Sequence, residues 1–249
     1  MSQVILPEDD KSKQQVVPEE LETEQETGVL KKAKFDKEAW KPKTELGRMV
    51  RTEEIKGIDQ ILNNGIRFLE PEIVDIFLSD LESDLLAIGQ SKGKFGGGKR
   101  SIWKQTQKKT REGNKPKFSA AMIVGNRNGY VGLGFGKSKE TVPAREKALR
   151  KAKLNLIAIK RRCGSWECGC NKPHSIPFKI SGKNGSVLMH LMPAPRGTGL
   201  VIEKECKKIL EFAGIKDVYS KTFGHTKTKQ NLIVACFNAL KELNKIKTK

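Results

Sequence analysis

The sequence predicts an α+β protein of two successive units. The first is a helix, a three-stranded antiparallel sheet and a helix; the second is an open α+β sandwich with helices on one side of a sheet. Three observations predict this. Strand-forming runs flank turn clusters of Gly and Asn, as in Phe118–Val124, Gly125-Asn126-Arg127-Asn128-Gly129 and Tyr130–Phe135. Apolar residues at helical spacing follow the strand groups, at Ala144, Ala148 and Ala152 and again at Cys206, Ile209, Leu210 and Ala213. The chain has 249 residues, 37% of them hydrophobic, enough for two modest domains.

The first unit centres on residues 117–162. Gly132, Gly134 and Gly136 share one parity of the strand from Tyr130, so one strand face is nearly bare and open to close approach. A helix starts near Lys139, with Pro143 in its first turn and Ala144, Ala148, Ala152 and Leu156 on one stripe. Gly136-Lys137-Ser138 looks like the end of a phosphate-binding P-loop, but position 131 holds Val where that motif needs Gly. Counting from Gly132, the third glycine of the dinucleotide fingerprint falls on Lys137. A nucleotide site is therefore disfavoured.

Upstream, residues 1–40 read as an acidic, disordered tail. Residues 41–80 form an N-terminal helical extension, with Trp40 as an anchor at its start. A short helix with a glycine-mediated end is expected over Ile58–Phe68, and a longer one over Pro71–Leu86. Residues 81–160 make up the first domain.

The formal net charge is +19. Residues 1–30 hold eight acids and two bases, a net of −6, so the remainder carries +25. Such a surface needs a polyanion. A spanning segment would take about 18 apolar residues, and none is present. The basic helix carries Ala and Leu rather than bulky aromatics, which disfavours a membrane surface. Residues 90–117 hold ten bases against one acid, Glu112. Lys104–Arg111 alternates like a strand and turns at Glu112-Gly113-Asn114. A charge run is most often a solvated face, but this one lies on a strand pair beside a basic helix, which favours phosphate contact. The candidates are Lys104, Lys108, Lys109, Arg111, Lys115 and Lys117 in the hairpin, then Arg127, Lys137, Lys139, Arg145, Lys147, Arg150, Lys151, Arg161 and Arg162, with Lys183 and Arg196 beyond. Clustered carboxylates are missing from these segments, which argues against an enzyme acting on RNA.

Residues 161–174 form a Cys/His loop. Cys163, Cys168, Cys170 and His174 offer soft ligands within twelve residues, with Gly and Pro between them, and point to structural zinc. The spacing is not that of a standard finger, and reduced thiols in a loop are the alternative. The second unit, 175–245, reads as strands at Ile176–Ser181 and Ser186–Met192, a helix at Glu203–Ala213, a strand at Ile215–Ser220 and a last helix that Thr228 caps. Both faces of the Ser186–Met192 strand look covered, and His190 on it reads as structural. Cys206 and Cys236 read as core residues.

Five blocks carry a resemblance: WKPKTELGR, MIVGNRNGYVGLGFGKSKE, RRCGSWEC with KPHSIPFKISGK, GSVLMHLMPAPRGTGL and LEFAGIKDVYSKTFGHTKT. They resemble the family of the fifth universal small-subunit ribosomal protein, archaeal and eukaryotic type, over about residues 40–240. Residues 91–100 depart from that family's pattern as a local insertion. The resemblance implies a first domain like the double-stranded-RNA-binding fold. It implies a structural constituent of the small ribosomal subunit in the cytoplasm, bound to 16S-type ribosomal RNA. Messenger RNA would lie nearby, with the fourth and eighth universal proteins as neighbours, near the decoding region and the channel by which messenger enters. Support of subunit assembly and translational accuracy would follow, and the hairpin from Lys104 to Lys117 would touch RNA. The alternative is a free duplex-RNA-binding regulator.

Overall fold

The computed structural model describes residues 40–93, 97–170 and 172–244. The expected acidic tail lies outside them, apart from Trp40, as does part of the 91–100 insertion. Three short helices open the described chain: α1 (Glu45–Arg51), α2 (Ile58–Asn63) and α3 (Glu72–Phe77). Thr44 caps α1 by accepting the Gly47 N–H at 3.1 Å. At the end of α2, Gly65 adopts a φ of 68°, so Ile66 N–H reaches Ile61 O at 3.1 Å and Gly65 N–H reaches Leu62 O at 3.2 Å. Val50, Ile58, Ile61, Phe68, Ile73 and Val74 are buried together, with Trp40 packed against them as its anchor role requires.

The expected helix over Pro71–Leu86 is a correction. It stops at Phe77, and Glu82–Leu86 is a strand, β1. Leu78 leaves the helical region at φ −123°, and the Ser79 hydroxyl donates to the Asp80 carboxylate at 3.1 Å. Ser and Asp compete with helix by such local bonds. The apolar spacing runs on through them, but tertiary pairing decides: β1 pairs residue by residue with Ala121–Gly125.

The first sheet has five strands rather than three. β2 (Lys104–Thr110), β3 (Gly113–Gly125), β4 (Tyr130–Ser138) and β5 (Leu156–Ala158) join β1 in the order β1-β3-β4-β5, and β2 pairs with the free half of β3. Its pairings are antiparallel. Helix α4 (Thr141–Leu154) covers one face, and Leu156 belongs to β5 rather than to the helix.

The bare glycine face is what α4 sits on. A Cβ on Gly132 would lie 2.2 Å from Ala152 O, one on Gly134 2.2 Å from Ala148 O, and one on Gly136 2.0 Å from Ala144 O. The small stripe on the helix thus meets the small stripe on the strand, backbone against backbone. Those glycines serve packing, so they offer no surface to RNA and no phosphate cradle at Gly136-Lys137-Ser138.

The second sheet has the order β6-β7-β9-β8, from β6 (Ile180–Asn184), β7 (Val187–Pro193), β8 (Leu200–Val201) and β9 (Val218–Phe223). Helices α5 (Lys204–Phe212) and α6 (Lys229–Glu242) pack on it. Gly182 repeats the device of the first sheet: its Cβ would fall 2.1 Å from Ala235 O of α6. Only one face of β7 is fully covered. Val187, Met189 and Leu191 are buried, while Leu188, His190 and Met192 are half-buried. Thr228 precedes α6 without capping it, its hydroxyl donating to His225 O at 2.8 Å instead. Cys206 and Cys236 are core residues. One apolar cluster links the sheets: Ala121, Ile123, Val131 and Leu133 on the sheet-one face away from α4 join Cys206, Ile209, Leu210 and Phe212 of α5. The dry core therefore continues from one unit into the other.

Candidate nucleic-acid interface and metal loop

β2 and the first five residues of β3 form a two-stranded ribbon that leaves the core. Every residue of β2 but the last is exposed, as are Gly113–Lys117. The strand register puts Lys108 opposite Lys115 and Thr106 opposite Lys117. Strand alternation then gathers Lys104, Lys108, Lys115 and Lys117 on one ribbon face, with Lys109 on the other. Like charges directly opposite destabilise a strand pair, and an isolated two-stranded ribbon is marginal in water. Glu112, ion-paired with Lys115 at 2.7 Å, is the acid at its tip.

The same basic strip continues onto the body. Lys137 lies opposite Ser119, at the root of the ribbon. Lys117, Lys137, Lys139 and Lys147 line a groove of about 570 Å³ where α4 begins, with Glu140 and Pro143. Lys139, Lys147, Arg150 and Lys151 are exposed and Arg145 is half-buried. Arg162, Lys183 and Arg196 are exposed too, but none of them adjoins the ribbon in its strand pairing.

Two of the expected arginines have internal work. Arg127 sits at φ 54° in the β3–β4 turn, and its guanidinium is paired with Glu82 at 2.7 Å. Arg161 is half-buried and bridges the two units: its Nη1 donates to Gly214 O at 3.2 Å and to Arg127 O at 3.5 Å, and its Nη2 donates to Asn128 Oδ1. Burial lowers its pKa from the ordinary arginine value.

In the Cys/His loop the Sγ atoms of Cys163, Cys168 and Cys170 and a ring nitrogen of His174 all lie within 4.8 Å of one another. The Cys168 thiol is pushed down to about 6, first by the backbone N–H of Arg196 and then by Cys170. Burial pushes the Cys163 thiol up. The imidazole of His174 is buried, and its Nδ1 lies 2.8 Å from Asp217 Oδ2. Asp217 is itself buried, and its other oxygen accepts Gly197 N–H at 3.1 Å and Gly199 N–H at 2.9 Å. Sequence reasoning missed Asp217. The available signal was one acid in the strand expected just after the helix stop at Gly214.

The model of the ribosomal protein S5 N-terminal domain matches residues 102–160, and that of the ribosomal protein S5 C-terminal domain matches residues 182–249. The chain is 49% identical over 210 residues to a small ribosomal subunit protein uS5 of Nanoarchaeum equitans, covering 84% of this chain and 90% of that protein. It is 48% identical over 215 residues to the uS5 protein of Methanocaldococcus jannaschii, covering 86% and 92%. It is 48% identical over 213 residues to that of Methanospirillum hungatei, covering 86% and 97%.

Proposed function

Because this chain belongs to the ribosomal protein S5 family, a structural, non-enzymatic constituent of the small ribosomal subunit, we propose that its β2–β3 ribbon and the start of α4 grip 16S-type ribosomal RNA. The observation that carries this reading is the ribbon itself. Its like charges, Lys108 facing Lys115, sit on an arm without a core of its own. A polyanion removes the repulsion and supplies the support. A-form RNA offers phosphates and 2′-hydroxyls across a shallow minor groove, which suits flexible lysines on a narrow ribbon. Lys137, Lys139, Arg145, Lys147, Arg150 and Lys151 extend the grip along the body.

On this reading the protein is held on the cytoplasmic ribosome near the decoding region and the channel by which messenger RNA enters. The fourth and eighth universal proteins are its neighbours, and it supports assembly and accuracy. Among the described residues, no helix is long and apolar enough to cross a membrane. The test replaces Lys108, Lys109 and Arg111 with Ala and follows binding to a ribosomal RNA fragment against salt. Each base that no longer meets a phosphate should flatten the log-log slope by up to ~0.9, so a flattening of roughly two to three is expected. An unchanged slope and affinity would leave the ribbon a solvated face and sink the proposal. Co-sedimentation with small subunits in high salt separates this role from that of a free duplex-RNA-binding regulator.

A further inference from the structure

We propose that Cys163, Cys168, Cys170 and His174 hold one zinc ion in a closed structural site, and that Asp217 ties that ion to the turn carrying Arg196. The proposal is independent of the RNA reading. It rests on the geometry of the loop and on what lies behind it.

Four ligand atoms around zinc, at about 2.3 Å for sulfur and about 2.0 Å for nitrogen, stand roughly 3.5–3.8 Å apart at the corners of a tetrahedron. The atoms here already lie within 4.8 Å of one another, and Cys168 Sγ stands 3.9 Å from His174 Nε2. Three sulfurs and one imidazole select a borderline-soft ion that accepts tetrahedral geometry, and four protein ligands leave no open position for catalysis. On binding, the three thiols give up their protons and the imidazole binds neutral.

The imidazole is held for this task. His174 Nδ1 faces the Asp217 carboxylate at 2.8 Å, which places its N–H there and leaves Nε2 on the side of the cysteines. Metal-bound histidines are oriented by such a carboxylate. The carboxylate's other oxygen carries the contact further. It takes the N–H groups of Gly197 and Gly199, which adopt φ values of 92° and 74°. Ser175 fastens the same place, donating to Asp217 O at 2.6 Å and accepting Ala194 N–H at 3.3 Å. Lys216 N–H closes the ring on His174 O at 2.8 Å. One buried carboxylate thus holds the proposed ligand on one side and the Pro195–Gly199 turn on the other. Loss of the ion frees His174, and with it the turn that presents Arg196.

The full-length protein, purified without added metal, should carry about one zinc per chain by this ligand set. Cys168→Ser and His174→Ala should each lower that content sharply. Asp217→Asn keeps an oxygen for the glycine amides but offers an NH₂ to His174, and zinc affinity should fall about 10–100-fold. A chelator added to the unaltered protein should speed hydrogen exchange at Gly197 and Gly199 and leave the amides of β3 protected, and added zinc should reverse it. This second measurement needs no variant to fold. Iron in place of zinc, or full zinc content in both ligand variants, overturns the site. Zinc removal without a change at Gly197 and Gly199 overturns the coupling.

Discussion

Gly134→Ala is the sharpest probe of how the first unit is built. The added Cβ would lie 2.2 Å from both Ala148 O and Ala152 N, and 2.8 Å from Ala152 Cα. These are helix backbone atoms, so no side chain can swing aside. Ordinary van der Waals separation begins near 3.4 Å, and α4 would have to retreat by about 1 Å. It cannot do so at one point alone. Gly132 against Ala152 and Gly136 against Ala144 hold it in the same register on either side. Overpacking of this kind costs about 1–3 kcal/mol. Loss of glycine's unfolded-state freedom returns about 0.4–1 kcal/mol. The expected net loss is about 1.3 kcal/mol, or a fall of roughly 3–5 °C in Tm for a chain of this size. Urea unfolding should show a lower midpoint at an unchanged slope. Gly93→Ala, where an added Cβ meets nothing within 4 Å among the described residues, is the control and should stay within about 0.5 kcal/mol of the parent. RNA-fragment affinity of folded Gly134→Ala protein should match the parent. If Gly134→Ala protein were as stable as the parent but bound RNA poorly, the bare strand face would belong to RNA and the packing argument would fail.

Two further outcomes follow from polar contacts within the body. Arg161→Lys should cost about 1–2 kcal/mol, since one ammonium cannot span Gly214 O, Arg127 O and Asn128 Oδ1 together, while the salt slope of RNA binding stays unchanged; a flattened slope at unchanged stability would return Arg161 to the RNA surface. Glu70 is buried, and its Oε1 accepts the N–H groups of Lys43 and Thr44 at 2.8 and 2.7 Å, so Glu70→Ala should cost about 2 kcal/mol and speed exchange at the Thr44 amide, whereas an unchanged exchange rate would show that α1 is held by its apolar contacts alone.

The elements most legible in the sequence were those with local causes. The β3–β4 hairpin followed from Gly125–Gly129, α4 from its alanine stripe, and α5 from its apolar face and Gly214, which closes it at φ 76°. The helix over Pro71–Leu86 failed because its spacing, though helical, crossed Ser79-Asp80, and the partner that claimed Glu82–Leu86 lay about forty residues on. No local rule reports such a partner. The glycines at 132, 134 and 136 were recognised as a surface for close approach. Sequence alone did not say whether a helix or a nucleic acid would approach. The helix was already present in the same stretch, with small residues at matching intervals, and that pairing of small with small is the signal to weigh. Asp217 was missed for the opposite reason. A buried carboxylate at the entry to a strand looks like an error until the three N–H groups it accepts are known, and these come from residues 18 to 43 positions away.

Charge shows where composition stops being informative. A net of +25 over residues 31–249 announces a polyanion without saying which bases meet it. The structure sorts two classes. Arg127 and Arg161 spend their planar forks on Glu82 and on backbone carbonyls, where several donors in fixed directions are needed. The ribbon carries mostly lysines, set on both its faces, and among the described residues the acid paired with them is Glu112. A lysine is a mobile point charge that can follow a phosphate chain without fixed geometry, and its cost when unpaired in water is small. Sequence reasoning gave arginine and lysine equal weight as RNA contacts. For these residues the separation lies in the company each keeps: Arg127 and Arg161 at the seam between the two units, the ribbon lysines on the arm that leaves it.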